Sequence, residues 1–148
     1  PTNQETRDEL GKIAFKDGQI DLAREFLRGT ENAEEIARCF NAVAIAKIAD
    51  NRFEEAMKSY ATAIDLMTDT DVVHLLNFNV GLAHMKQGDS EKAFAYFCRS
   101  YLQDPTYERA YLASAKTAAD LKKGGKPYDQ NLANEVTKVR MSREKKSA

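Results

Sequence analysis

The chain has 148 residues, 43% of them hydrophobic and 30% charged, with a formal net charge of -1 at pH 7. That length can bury one sizeable core, and the near-zero charge argues against a general nucleic-acid binder, which needs a clear basic excess to hold a phosphate backbone. No apolar run approaches the roughly 20 residues that span a bilayer, and the polar start does not make a signal peptide, so no membrane association is expected.

The charge is uneven. Residues 122–148 hold eight Lys or Arg against three acids, about +5, which leaves about -6 on residues 1–121. Cys39 and Cys98 carry no pairing motif, so reduced thiols and a cytoplasmic location are expected. The start at Pro1 rather than Met points to a fragment or processed chain with sequence upstream.

In chain order, Glu5 to Phe15 reads as a first helix of weak pattern, followed by the turn signal Asp17-Gly18 and a second helix marked by Ala23 and Leu27. Glu31-Asn32-Ala33 is a linker. Val43-Ala44, the turn Asp50-Asn51 and Ala56/Tyr60 repeat that order, and a longer acidic connection, Thr68-Asp69-Thr70-Asp71, follows. The clearest unit runs from Asn77 to Pro105. Val80, Gly81 and His84 mark one packed face, Gln87-Gly88-Asp89 breaks the helix, and Ala93, Phe97 and Ser100 mark the next. Gly81 and Ala93 would let two helices approach closely beside Phe97, and Pro105, lacking an amide donor, would end the unit. Thr106 to Lys122 reads as a further helix with Tyr111 and Ala115 inside, Lys123 to Pro127 as a break, and Leu132, Val136 and Val139 as one face of a last amphipathic helix. The final residues, 144–148, are expected to be disordered.

These units are repeats. The pairs Ala23/Leu27, Ala56/Tyr60 and Ala93/Phe97 lie 33 and 37 residues apart, each preceded by a turn whose Gly or Asn can take a positive φ. In this order of apolar-small pair, turn, alanine, aromatic and proline, the chain resembles the tetratricopeptide repeat family, whose unit is a helix-turn-helix of about 34 residues. The resemblance implies an all-α, right-handed helical-hairpin solenoid of about three repeats plus C-terminal helices. Its bounds are 4–36, 37–73, 74–107 and a partial 108–121, within an array over 1–121, then a hinge at 122–128, a helix at 129–143 and the tail. The second repeat has Thr68 where the family usually has proline, and the first has Leu27 for the aromatic and no terminal proline. More narrowly, residues 42–67 and 75–111 look like the repeats that follow the receiver domain of bacterial response regulators. The receiver's aspartate-bearing strand is absent, so no phosphorylated residue is assigned.

No residue pattern points to catalysis, and no enzyme activity, metal or cofactor is expected. Cys39, His74, His84 and Cys98 are 35, 10 and 14 residues apart, which is not the paired spacing of a zinc site. Neither cysteine has a neighbouring histidine, and Gly124-Gly125-Lys126 lacks the preceding strand and following Ser or Thr of a phosphate loop. His84 reads as a packing residue, and Tyr101, Tyr107 and Tyr111 as packing aromatics. The Glu54-Glu55 pair favours a helix start through the dipole.

The family's groove positions, carried onto this register, are Asp8, Lys12 and Phe15; Asn41, Ile45 and Ile48; Phe78, Leu82 and Met85; and Arg109, Leu112 and Lys116. Of these, Phe15, Asn41, Ile45, Ile48, Phe78, Leu82, Met85 and Leu112 form the expected partner-binding surface. Asp8 and Leu75 stand where a carboxylate clamp would put basic residues, so an apolar helix or extended peptide is the expected ligand. Three covers stay open: a partner segment, a second copy of the chain as a homodimer, or the chain's own helix around Leu132 to Val139. The function implied is a non-enzymatic protein-interaction module, an adaptor or output part of a larger signalling protein. The alternatives are a regulatory domain whose active domain lies upstream, and weak binding of nucleic acid or an acidic partner by the basic tail.

Overall fold

The computed structural model describes residues 3–147, and among them forms eight α-helices joined by short turns. They are α1 (Gln4–Lys16), α2 (Ile20–Leu27), α3 (Ala33–Ala49), α4 (Phe53–Leu66), α5 (Val73–Lys86), α6 (Ser90–Gln103), α7 (Glu108–Lys123) and α8 (Gln130–Ser147). The all-α, helical-hairpin class expected from the repeats is the class observed. The helices belong to two compact units, residues 1–76 and 77–148, with the division inside α5.

The turns follow one design. Gly18, Asn51, Gly88 and Gly125 have φ of 78°, 61°, 81° and 66°, and the residue after each donates its N–H five positions back, at 2.8–3.0 Å, to Ala14, Lys47, His84 and Leu121. This closure satisfies carbonyls that the helix end leaves unpaired, and it needs a residue that accepts the left-handed region. Side chains start the next helices: Asp89 accepts from the Lys92 amide at 3.1 Å, Asp129 from Leu132 at 3.1 Å and Asn3 from Thr6 at 2.8 Å. Asp104 is extended, as the residue before Pro105 must be, and α6 stops at Gln103.

Unit 1 has its core between α1–α2 and α3–α4, where Ala23, Ile36, Phe40, Ala44, Ala56 and Ala63 are almost wholly buried. Phe15 stacks on Phe40 with ring centroids 3.9 Å apart. In unit 2 the core joins Phe78, Phe94, Phe97, Tyr101, Ala110, Leu121 and Val136, with Leu132 and Val139 of α8 packed against it. Two expectations change. Ala33 begins α3 instead of ending the linker, and residues 144–147 continue α8, where Arg, Glu and Lys are good helix formers and the Ser147 hydroxyl donates to the Arg143 carbonyl at 3.1 Å. Ala148, like Pro1 and Thr2, lies outside the described residues.

Candidate functional site

The hairpin interior explains which first-helix residues face outward. A Cβ placed on Gly81 would lie 2.5 Å from Phe97 Cε1, and one on Gly11 would lie 2.5 Å from Leu27 Cδ2, so each small residue on a first helix meets the bulky residue of its own second helix. The middle hairpin places buried Ala44 and Tyr60 at these positions, and the Tyr60 hydroxyl donates to Asn41 Oδ1. Burial pushes the Tyr60 pKa up to about 12, keeping the phenol neutral as a donor. These contacts turn the opposite face of α3 and α5 outward.

The expected surface residues divide accordingly. Ile45 is 52% exposed, Met85 37% and Leu112 58%, large for apolar side chains, while Asn41, Ile48 and Leu82 are half-buried. Phe15 and Phe78 differ from expectation, being only 5% and 4% exposed. The physical reason is aromatic packing. Phe15 stacks on Phe40, whereas Phe78 lies 5.3 Å from both the Phe97 and the Tyr107 rings and is roofed by the Arg109 guanidinium at 4.9 Å. Both rings are therefore core in place of open groove.

Asp8 and Lys12 are likewise engaged. Asp8 is buried and accepts from Gln4 Nε2 at 2.8 Å and Asn32 Nδ2 at 3.0 Å. Burial pushes its pKa up, but the bonds from Asn32, Gln4 and Thr30 and the charge of Lys12 outweigh it, so the carboxyl sits below its ordinary value. Lys12 bridges Glu9 at 2.7 Å and Glu35 at 3.0 Å. A carboxylate ligand would meet an anion at Asp8.

Two of the donors considered for chemistry, His84 and Cys98, are packed into the interior. His84 is buried against Tyr96, 5.5 Å between ring centroids, and burial holds its pKa below the ordinary value despite the charge of Asp89. Burial pushes the Cys98 thiol up to about 12. Among the described residues no group of three or more His, Cys, Asp or Glu is placed to hold a metal ion, and no helix is long and apolar enough to cross a membrane.

Pairing by Arg140 was not visible in the sequence. Its guanidinium grips both Glu108 carboxylate oxygens, at 2.6 and 2.8 Å, and lies 4.0 Å over the Tyr111 ring, tying α8 to α7. The bond from Arg140 holds the Glu108 carboxyl below its ordinary value. Arg140 also lies close enough to the buried Tyr101 hydroxyl to interact with it, but no hydrogen bond of good geometry joins them. Thirty-two residues separate Arg140 from Glu108, and only the tertiary arrangement reveals the pair.

Successive helix pairs, two of which lock a glycine of one helix against a bulky residue of the next, define a helical-hairpin repeat protein. The particular family it resembles is the tetratricopeptide repeat, whose model residues 76–107 match. It is similar to Photosystem I assembly protein Ycf3 of Rippkaea orientalis (strain PCC 8801 / RF-1), 28% identical over 85 residues, covering 57% of this chain and 49% of that protein. The protein of the same description from Cuscuta gronovii is 24% identical over 82 residues, covering 55% of this chain and 49% of that protein. The chain thus spans about half the length of the relatives it matches.

Proposed function

We propose that this chain is a non-enzymatic interaction module that captures a peptide or helix of a protein partner on the apolar residues of its first helices. Within unit 1, Ile45 with Asn41 and Ile48 forms one contact, on α3; within unit 2, Leu82 and Met85 on α5 and Leu112 on α7 supply another. The observation that carries the reading is the exposure of Ile45, Met85 and Leu112 on first helices of tetratricopeptide hairpins. The similar proteins are described as Photosystem I assembly proteins, which agrees with an interaction role. The finer reading, an output part of a bacterial signalling protein, rests on the resemblance of residues 42–67 and 75–111 to receiver-linked arrays; neither relative named above is described as one.

The test is comparative capture. Ile45→Asp with Leu112→Asp changes two exposed positions, so helical content by circular dichroism should stay at the wild-type level. Partners recovered by the wild-type chain after cross-linking should drop at least about tenfold, the scale of removing hot-spot contacts. Unchanged recovery of the same partners would overturn the assignment of this surface.

A further inference from the structure

We propose that the cleft between the two hairpins of unit 1 is a second binding site, for a short acidic peptide segment of a protein partner. The cleft has a volume of about 380 Å³ and is lined by Phe15, Lys16, Lys47, Arg52, Lys58 and Ser59, among others. That lies in the lower part of the range of about 300–1,000 Å³ in which ligand pockets fall.

Charge is the first argument. Four cations line the cleft, Lys16, Lys47, Arg52 and Lys58, against a single acid, Glu55. Arg52 pairs with Glu55. Half-buried Lys47 donates to the Ser59 hydroxyl at 2.5 Å, a neutral partner that leaves its charge uncancelled. Lys16 and Lys58 form no ion pair among the described residues. This runs against the charge of the unit: residues 1–76 have nine Lys or Arg and fifteen Asp or Glu, yet four of the nine cations line one cleft. Asp17, Asp21 and Glu54 are next to lining residues in sequence, are exposed, and do not line it.

The repeat supplies the second argument. Counting from the positive-φ residues Asn51 and Gly125, position 47 corresponds to Leu121, 58 to Leu132, 59 to Ala133 and 62 to Val136. In unit 2 those four side chains are apolar and belong to, or pack against, the core. In unit 1 the same positions are Lys47, Lys58, Ser59 and Thr62, and a cleft stands open there. Holding several like charges around one cleft is unfavourable unless an opposite charge shares it.

The ligand class follows from the lining. The cations come from α1, α3, α4 and the turn before α4, and Phe15 and Ile20 add apolar surface between them. Dispersed charge over an apolar floor suits carboxylate side chains along a peptide better than one compact anion. The inference rests on the interaction-module reading only for the ligand being a peptide.

The probe is a capped hexaglutamate peptide, titrated at about 50 mM salt into the full ¹⁵N-labelled chain, low enough that screening is weak. Saturable shifts are expected at the amides of Gly18, Lys47, Lys58 and Thr62, lost at about 300 mM salt. Lys16→Gln with Lys58→Gln should weaken binding about tenfold, while Lys16→Arg with Lys58→Arg keeps it and Lys145→Gln with Lys146→Gln on α8 leaves these shifts within about twofold. Ile45→Asp should leave them unchanged, which separates failure of this site from failure of the apolar surface. Shifts confined to α8, or binding insensitive to the Lys16/Lys58 pair, would overturn the proposal. Pyrophosphate occupying the same amides more tightly than the peptide would also overturn it, in favour of a free oxyanion.

Discussion

Units 1 and 2 are built from the same hairpin and part company in what the sequence places around it. Unit 1 carries nine Lys or Arg against fifteen Asp or Glu, a formal -6, and unit 2 thirteen against eight, a formal +5. Unit 2 fills its inter-helix space with rings: Phe78, Phe94, Phe97 and Tyr101 are buried together, and Leu121, Leu132 and Val136 close the crevice beside them. Unit 1 relies on alanines, one Phe15–Phe40 stack and polar locks such as Tyr60 to Asn41, and leaves the corresponding crevice lined by lysines. A repeat fixes the backbone path through its small residues and turns, while the positions between repeats stay free to serve either burial or binding.

The largest expected contrast is at the two glycines that face second helices. At Gly81 a new Cβ would press on the ring of Phe97, which is fully buried and 5.3 Å from Phe78, so no simple rotation relieves it. Gly81→Ala should cost about 2 kcal/mol, overpacking of about 3 kcal/mol less about 1 kcal/mol gained in helix propensity. At Gly11 the obstacle is the branched end of Leu27, which has rotamers to spare, and Gly11→Ala should come out within about 1 kcal/mol of neutral for the same opposed reasons. Urea denaturation of both variants measures this, and equal costs would break the distinction between ring-filled and aliphatic hairpins.

Acid should separate the units next. The depressed pKa of His84 means that the unfolded chain binds the proton more readily, so its contribution is complete above its ordinary 6.5 and shrinks as pH falls below that. Asp8 is also depressed, from 3.8, so its contribution persists to pH values near 4 and is lost only as pH falls through the lowered value. Amide exchange followed from pH 7 to pH 3 should therefore show unit 2 loosening first. His84→Phe should remove the step that begins as pH falls below 6.5, and Asp8→Asn should flatten the one below pH 4. Simultaneous loosening of both units, unaffected by either substitution, contradicts this assignment.

The smallest effect is chemical. Half-buried Cys39 of unit 1 should alkylate with iodoacetamide in the native chain, whereas Cys98, buried and with its thiol pushed up to about 12, should react only on unfolding. Mass spectrometry of timed samples reports both sites, and equal rates would show that burial does not distinguish them.

Much of this was legible in the chain alone. Gly81 meets Phe97 across its hairpin as their spacing implied, and Gly11 meets Leu27 at the corresponding positions, because a period of one hairpin is written in local residue size. The surface was less legible. Ile45, Met85 and Leu112 are exposed, but Phe15 and Phe78 are not, since whether a ring lies open or packed depends on partners, Phe40 and Tyr107, that sit in other helices.

By itself, then, the sequence determined the all-α hairpin class, the turns at Gly18, Asn51 and Gly88, and the end of α6 before Pro105, because each depends on the φ preference or size of residues close in the chain. Only the tertiary structure decided that Arg140 seals α8 to Glu108 and Tyr111, that Phe78 belongs to the core, and that four cations meet in one cleft of an otherwise acidic unit. Those outcomes join residues from different helices, and charge or burial at such distances is set by how helices pack.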